Sequence, residues 1–350
     1  MRNISFSDYL VDYLELEGIS QQEFAHSLDI NQSQLSLILN KKRLLSYKLM
    51  VSISMVTPFK IDEIVKIETN HNIEKNILNE ISKNNDTISN YIKRYNYKKL
   101  EEYDSTISFK NIEDKLEVVK DIMKYLRISK PYINKLSTVK FKSNHNKVEL
   151  VNIWLEKCYR ETKKQEISEY KKDNIDIVVK KINVFAIENS FDLKEIVKLF
   201  NTNGIYLSIV ADMIGSKIRG AFRVIDDKPA IYLTLKHKRP ADIFFALLHE
   251  LAHCKTDFNS GKNKTYISLE ESMITKIDDS ENLADKKAFN WMIEDKVFEK
   301  IRILDKKLNL VKIAKEYNVA LMFLVYRLAE SGDLRYNNPI YQKYNPVLIF

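Results

Sequence analysis

The stretch from Ile243 to Ala252 is almost wholly apolar, yet it runs into His249-Glu250-Leu251-Ala252-His253, and this combination constrains the chain more than any other feature. Pro240 suits the first turn of a helix, where its missing N–H is no loss. The run Ala241-Asp242-Ile243-Phe244-Phe245-Ala246-Leu247-Leu248 is apolar on nearly every side, so the segment is expected as a buried helix. Two histidines four residues apart project from one helix face. There their neutral imidazoles can bind one divalent cation, with the intervening Glu250 as general base. Two core histidines satisfied by backbone carbonyls are the alternative. A shared cation explains two buried imidazoles beside a carboxylate more economically.

A catalytic zinc takes three protein ligands and keeps one position open for water. Glu281-Asn282-Leu283-Ala284-Asp285 begins 28 residues after His253 and opens a second helical pattern through Ala288, Phe289, Trp291 and Met292. Glu281 is the expected third ligand. Asp285, one turn further on the same face, is placed to accept the second N–H of a ligating histidine. Glu270, Glu271, Asp278 and Asp279 compete for the ligand role, and an acidic first turn complementing the helix dipole is the other reading of Glu281 and Asp285. Two imidazoles and a carboxylate favour zinc, one ion per chain, over manganese or iron. Tyr232, His237, Arg239 and Tyr266 are candidates to steady an oxyanion, and none is assigned. Cys254 is rotated away from the histidine face and reads as packing.

These two segments resemble the active-site pair of the ImmA/IrrE family of bacterial metallopeptidases. Ile218-Arg219-Gly220-Ala221-Phe222-Arg223 and Lys228-Pro229-Ala230-Ile231-Tyr232-Leu233 resemble the hairpin before that family's active-site helix. Ile313-Ala314-Lys315-Glu316-Tyr317-Asn318-Val319 and Tyr326-Arg327-Leu328 resemble its closing helical segment. The likeness spans about residues 170 to 345. It implies a zincin-like domain and a zinc endopeptidase that cleaves a repressor or other regulatory protein. The chain departs from the family at Leu283, in a region where the family is often richer in acidic residues.

The N-terminal stretch carries a different signature. Phe6, Tyr9, Leu10, Tyr13 and Leu14 recur at helical spacing before Gly18, and Ser20-Gln21-Gln22-Glu23 forms a capping box opening a helix through Phe24, Ala25 and Leu28. After a short turn Asn31 caps a second helix with Leu35, Ile38 and Leu39 inward, closed by Lys41-Lys42-Arg43. These are the parts of a helix-turn-helix, and residues 6 to about 67 resemble the XRE family of DNA-binding domains. The resemblance implies base contacts from Gln32, Ser33 and Ser36, and phosphate contacts from Gln21, Lys41, Lys42 and Arg43. Residues 1–70 hold seven Lys and Arg against nine Asp and Glu, a local charge of 7 − 9 = −2, although the whole chain is +8. Phosphate neutralisation drives nucleic-acid affinity, so a single copy should bind weakly, which leaves room for a homodimer. A protein-docking helical domain with Leu37 outward is the competing reading.

With 45% apolar and 30% charged residues, the composition is that of a globular chain, and no run approaches the ~20 apolar residues of a membrane span. Cys158 and Cys254 make no disulfide framework, so a cytoplasmic protein with no membrane partner is expected. The expected fold is mainly α with a small β-sheet (α+β). Its parts are an all-α helix-turn-helix domain at 1–70, a helical connector at 71–190 and a metallopeptidase domain at 191–350. In the connector, Ile112, Leu116, Val119, Met123 and Leu126 mark one helix, and Val148, Val151, Leu155 and Cys158 another. The expected function is a bacterial regulatory zinc endopeptidase coupled to DNA binding. The alternative is a transcriptional regulator or antitoxin whose peptidase-like domain senses or docks without cutting.

Overall fold

The computed structural model describes residues 4–133, 148–211, 213, 218–236, 238–269, 279–304 and 309–349. The chain is mainly helical with one small mixed sheet. It divides into two compact units: Met1–Lys93 with Ser108–Ile133, and Arg94–Ile107 with Asn134–Phe350. Residues 71–190, expected as a connector, are shared between them.

In the first unit three of the early helices start where a short polar side chain satisfies a free backbone N–H. α1 (Phe6–Glu17) ends at Gly18, whose φ of 68° is the left-handed cap that glycine adopts without strain. α2 (Gln21–Ser27) begins where Ser20 Oγ accepts the Glu23 N–H at 3.2 Å, and α3 (Gln32–Leu39) where Asn31 Oδ1 accepts that of Gln34 at 2.7 Å. α4 (Tyr47–Val56) and α5 (Ile61–Lys83) complete a core built on Phe6, Leu10, Leu35, Ile38, Ile53 and Ile64. A further helix, Lys115–Leu126, starts from Asp114, whose Oδ1 accepts the N–H groups of Leu116 and Glu117. Ile112, expected as its first apolar residue, therefore lies ahead of the helix and is exposed. The aspartate cap, not the apolar period, sets this start.

The second unit is organised by the sheet, in the order β1-β3-β2-β4: β1 (Tyr206–Ile209), β2 (Ile218–Ile225), β3 (Lys228–Leu233) and β4 (Tyr266–Leu269). β1 runs parallel to β3, whereas β2 is antiparallel to both β3 and β4. Asp226 and Asp227 take φ of 50° and 58°, so the β2–β3 turn has two residues with left-handed backbone, the kind whose twist matches that of the strands. Lys228 and Pro229 open β3. β4 was not anticipated from the sequence at all.

Side chains alternate across the sheet, as the strand period requires. Phe222, Ile231 and Leu233 pack with Leu247 and Leu251 of the helix Pro240–Thr256, while Ala221, Ala230 and Tyr232 meet Val151 and Trp154 of the helix Val148–Thr162. The Pro240–Thr256 helix is thus enclosed, with the sheet beneath it and the helices Asn174–Ile187, Asp279–Met292 and Leu321–Glu330 around it. Among the described residues no helix is long and apolar enough to cross a membrane.

The start of the buried helix is held from far along the chain. Asn345, fully buried, accepts the Ala241 N–H at Oδ1 (3.0 Å) and donates from Nδ2 to Asp242 Oδ2 (2.9 Å) and the Tyr341 hydroxyl (3.0 Å). Asn345→Ala would leave a buried N–H unpaired, which costs about 1–3 kcal/mol. Urea denaturation of this variant is expected to show that loss; an unchanged midpoint would mean the bonds make no net contribution.

Candidate metal centre

His249 and His253 lie one turn apart on the Pro240–Thr256 helix, both buried, and their Nε2 atoms stand 3.2 Å apart. Glu281, from the first turn of the neighbouring helix Asp279–Met292, sets Oε2 at 3.3 Å from His249 Nε2 and Oε1 at 3.1 Å from His253 Nε2. These three residues form the one group of potential ligands found among the described residues. An ion with tetrahedral bonds of about 2.0–2.1 Å holds its ligand atoms about 3.3 Å apart. The observed spacings match that edge length, so the donor set fits a divalent cation.

The remaining ring nitrogens are fixed from outside. His249 Nδ1 is 2.8 Å from Asp285 Oδ1, and His253 Nδ1 is 3.0 Å from Asp257 Oδ2. A carboxylate on Nδ1 holds the proton there and turns the Nε2 lone pair inward, the tautomer that a ligating histidine needs. Tyr266 stacks its ring on His253 with centroids 5.1 Å apart, which limits tilting of that imidazole. Burial lowers the basicity of both histidines, but the hydrogen bonds from Asp285, Asp257 and Glu281 outweigh it and push both above the usual imidazole value. Burial also opposes ionisation of Glu281. The two imidazoles overcome it and pull that carboxyl down to about 2.

Glu250 is fully buried on the same helix. Ser268 Oγ on β4 donates to its Oε1 at 2.7 Å, while Oε2 has no hydrogen-bond partner among the described residues. Desolvation raises its pKa to about 7, against the pull of His249 and His253. β2 comes so close that a Cβ at Gly220 would sit 2.5 Å from Glu250 Oε1. The glycine is needed for its missing side chain, not for an unusual φ.

Of the residues singled out in the sequence, the structure brings His249, Glu250, His253, Glu281 and Asp285 together. Asp279 is exposed, and Glu270, Glu271 and Asp278 lie outside the described residues, as does His237. Tyr232 is buried beside Trp154 on the other face of the sheet, Tyr266 shares its hydroxyl with Ser260 at 2.7 Å, and Arg239 donates to Asn345 and Gln342. Cys254 is buried, its sulfur 3.7 Å from the Tyr170 hydroxyl. Asp257, Ser268 and Gly220 were missed. Only Asp257 carried a local signal, four residues after His253 on the same helix face.

In the first unit Gln21, Gln32 and Ser33 are exposed, and half-buried Ser36 accepts from Asn40 Nδ2 at 3.3 Å. Lys41 is paired with Asp8 at 2.7 Å, while Lys42 and Arg43 are exposed without an ion pair among the described residues. Leu37, Leu44 and Tyr47 are also exposed. Neither family models, nor curated proteins, nor solved structures give a match to this chain.

Without metal, the raised histidine values stabilise the fold fully below about pH 6.5, and that contribution is lost as pH rises through about 9 for His253 and about 10 for His249. A metal takes neutral imidazoles, so a divalent cation held here would have to displace those protons, and its affinity would rise with pH. Calorimetry in two buffers of different ionisation enthalpy is expected to show proton release on zinc binding; proton-neutral binding would place the ion elsewhere. Gly220→Ala is expected to lower any Glu250-dependent turnover by about 100-fold through displacement of that carboxylate. Zinc uptake, measured alongside, should be unchanged.

Proposed function

We propose that the chain is a regulatory zinc endopeptidase of the ImmA/IrrE type that cleaves a repressor or similar regulatory protein, with an N-terminal helix-turn-helix that engages DNA. The observation that carries this reading is the convergence of His249 Nε2, His253 Nε2 and the Glu281 carboxylate beside a buried Glu250 with one unpaired oxygen. His249, His253 and Glu281 hold the ion, which supplies Lewis acidity toward a peptide carbonyl and a water.

Glu250 moves the proton. Fully buried and with its carboxyl raised by desolvation, Glu250 is placed to accept a proton from the attacking water and to give it up again to the leaving amine. Ser268 holds Oε1, which leaves Oε2 as the atom for this transfer. The cleft at this point has a volume of about 620 Å³, is walled by Phe245 and Tyr326, and has β2 and β4 along one side. An extended peptide fits such a site.

For the N-terminal unit, exposed Gln32 and Ser33 on α3 support base contacts, and Lys42 and Arg43 support phosphate contacts. The Lys41–Asp8 pair removes one expected phosphate ligand, consistent with weak binding by one copy.

Incubating the zinc-loaded protein with candidate repressor proteins from the same cell is expected to yield defined fragments of one of them. Glu250→Gln should lower kcat by about 10³-fold while zinc content stays the same. Survival of the protein's biological effect in that variant would leave a DNA-binding regulator without proteolysis as its function.

A further inference from the structure

Arg219 occupies an irregular position in β2. Ile218 pairs with Leu269 and Gly220 with Ser268, so Arg219 is the extra residue of a β-bulge, directly before the glycine that abuts Glu250. A bulge bends its strand and re-aims the side chain it carries. Arg219 is exposed here and lines the same cleft as His249, Glu250 and Glu281. Its carbonyl accepts the Thr234 N–H at 3.0 Å and the Thr234 hydroxyl at 3.3 Å, which ties it to the segment that brings Lys238 to the same cleft.

The acidic groups around this cleft already have partners. Asp285 serves His249, Asp242 accepts from Asn345 and Tyr341, and Glu330 accepts from the Tyr336 hydroxyl. Glu250 and Glu281 belong to the metal centre. Among the described residues, neither the Arg219 guanidinium nor the Lys238 ammonium has a hydrogen-bond or ion-pair partner. Arg219 and Lys238 are therefore cations without a direct partner in the same cleft that holds Glu250.

We propose that Arg219 is a specificity-determining residue: its guanidinium binds the carboxylate of an Asp or Glu side chain in the substrate close to the scissile bond, and Lys238 adds attraction at longer range. This rests on the peptidase reading for its substrate. A guanidinium pairs with a carboxylate through two parallel N–H donors, a geometry that a neutral amide side chain cannot reproduce.

Binding and cutting test this separately. Full-length Glu250→Gln protein is titrated with a fluorescent peptide containing one central Asp, and with the same peptide carrying Asn there. The acidic peptide is expected to bind at least about 10-fold more tightly, and the added substitution Arg219→Gln should erase the difference. In parallel, the zinc-loaded protein with active Glu250 is profiled on a mixed peptide library. Cleavage is expected beside Asp or Glu; Arg219→Gln should remove that preference and Arg219→Glu turn it toward Lys or Arg. Equal binding of the two peptides overturns the proposal. So does a uniform fall in kcat for all peptides in Arg219→Gln, which would mark a role at the oxyanion instead. Acid-selective binding without any cleavage would sustain the anion site and defeat the hydrolytic reading alone.

Discussion

Two imidazole nitrogens 3.2 Å apart inside a mostly apolar layer are the contact on which the second unit depends. Such a pair has no mutual satisfaction when both lone pairs point inward. It needs a proton or a cation between the groups, and an acidic group to balance the resulting charge. Glu281 supplies that charge from the next helix, drawn to about 2 by the imidazoles it meets. A metal ion held by these three side chains would thus compete directly with protons.

The surroundings of that contact act mainly through position. Asp285 and Asp257 fix which nitrogen of each ring faces inward, Ser268 fixes one oxygen of Glu250, and Gly220 leaves room for it. Asn345 holds the first turn of the helix that carries the histidines, and so links the end of the chain to the orientation of the site. Each residue comes from a different segment. The site is consequently braced from several directions, since no single loop displacement moves all of these supports together.

The first unit has a simpler physical basis. Its short helices begin at Ser20, Asn31 and Ser46, whose side chains satisfy the first free N–H groups, and they close around a compact aliphatic and aromatic core. Its surface exposes Lys42 and Arg43 together with Leu37, Leu44 and Tyr47.

Local periodicity settled much of this protein in advance. The buried helix, its two histidines on one face, the intervening glutamate, the capped helices near the N-terminus and the β2–β3 hairpin all follow from spacings of a few residues, where backbone geometry alone determines what faces what. Asp257 was readable by the same rule. Tertiary structure decided what that rule cannot reach: that Glu281 and Asp285 approach from the next helix, that β4 brings Ser268 to Glu250, that a bulge puts Arg219 in the cleft, and that Asn345 caps a helix 104 residues away. The reason is physical. A helix or strand repeats itself, but the path of the chain between elements is set by how their apolar faces pack, and only that path determines which distant polar groups meet.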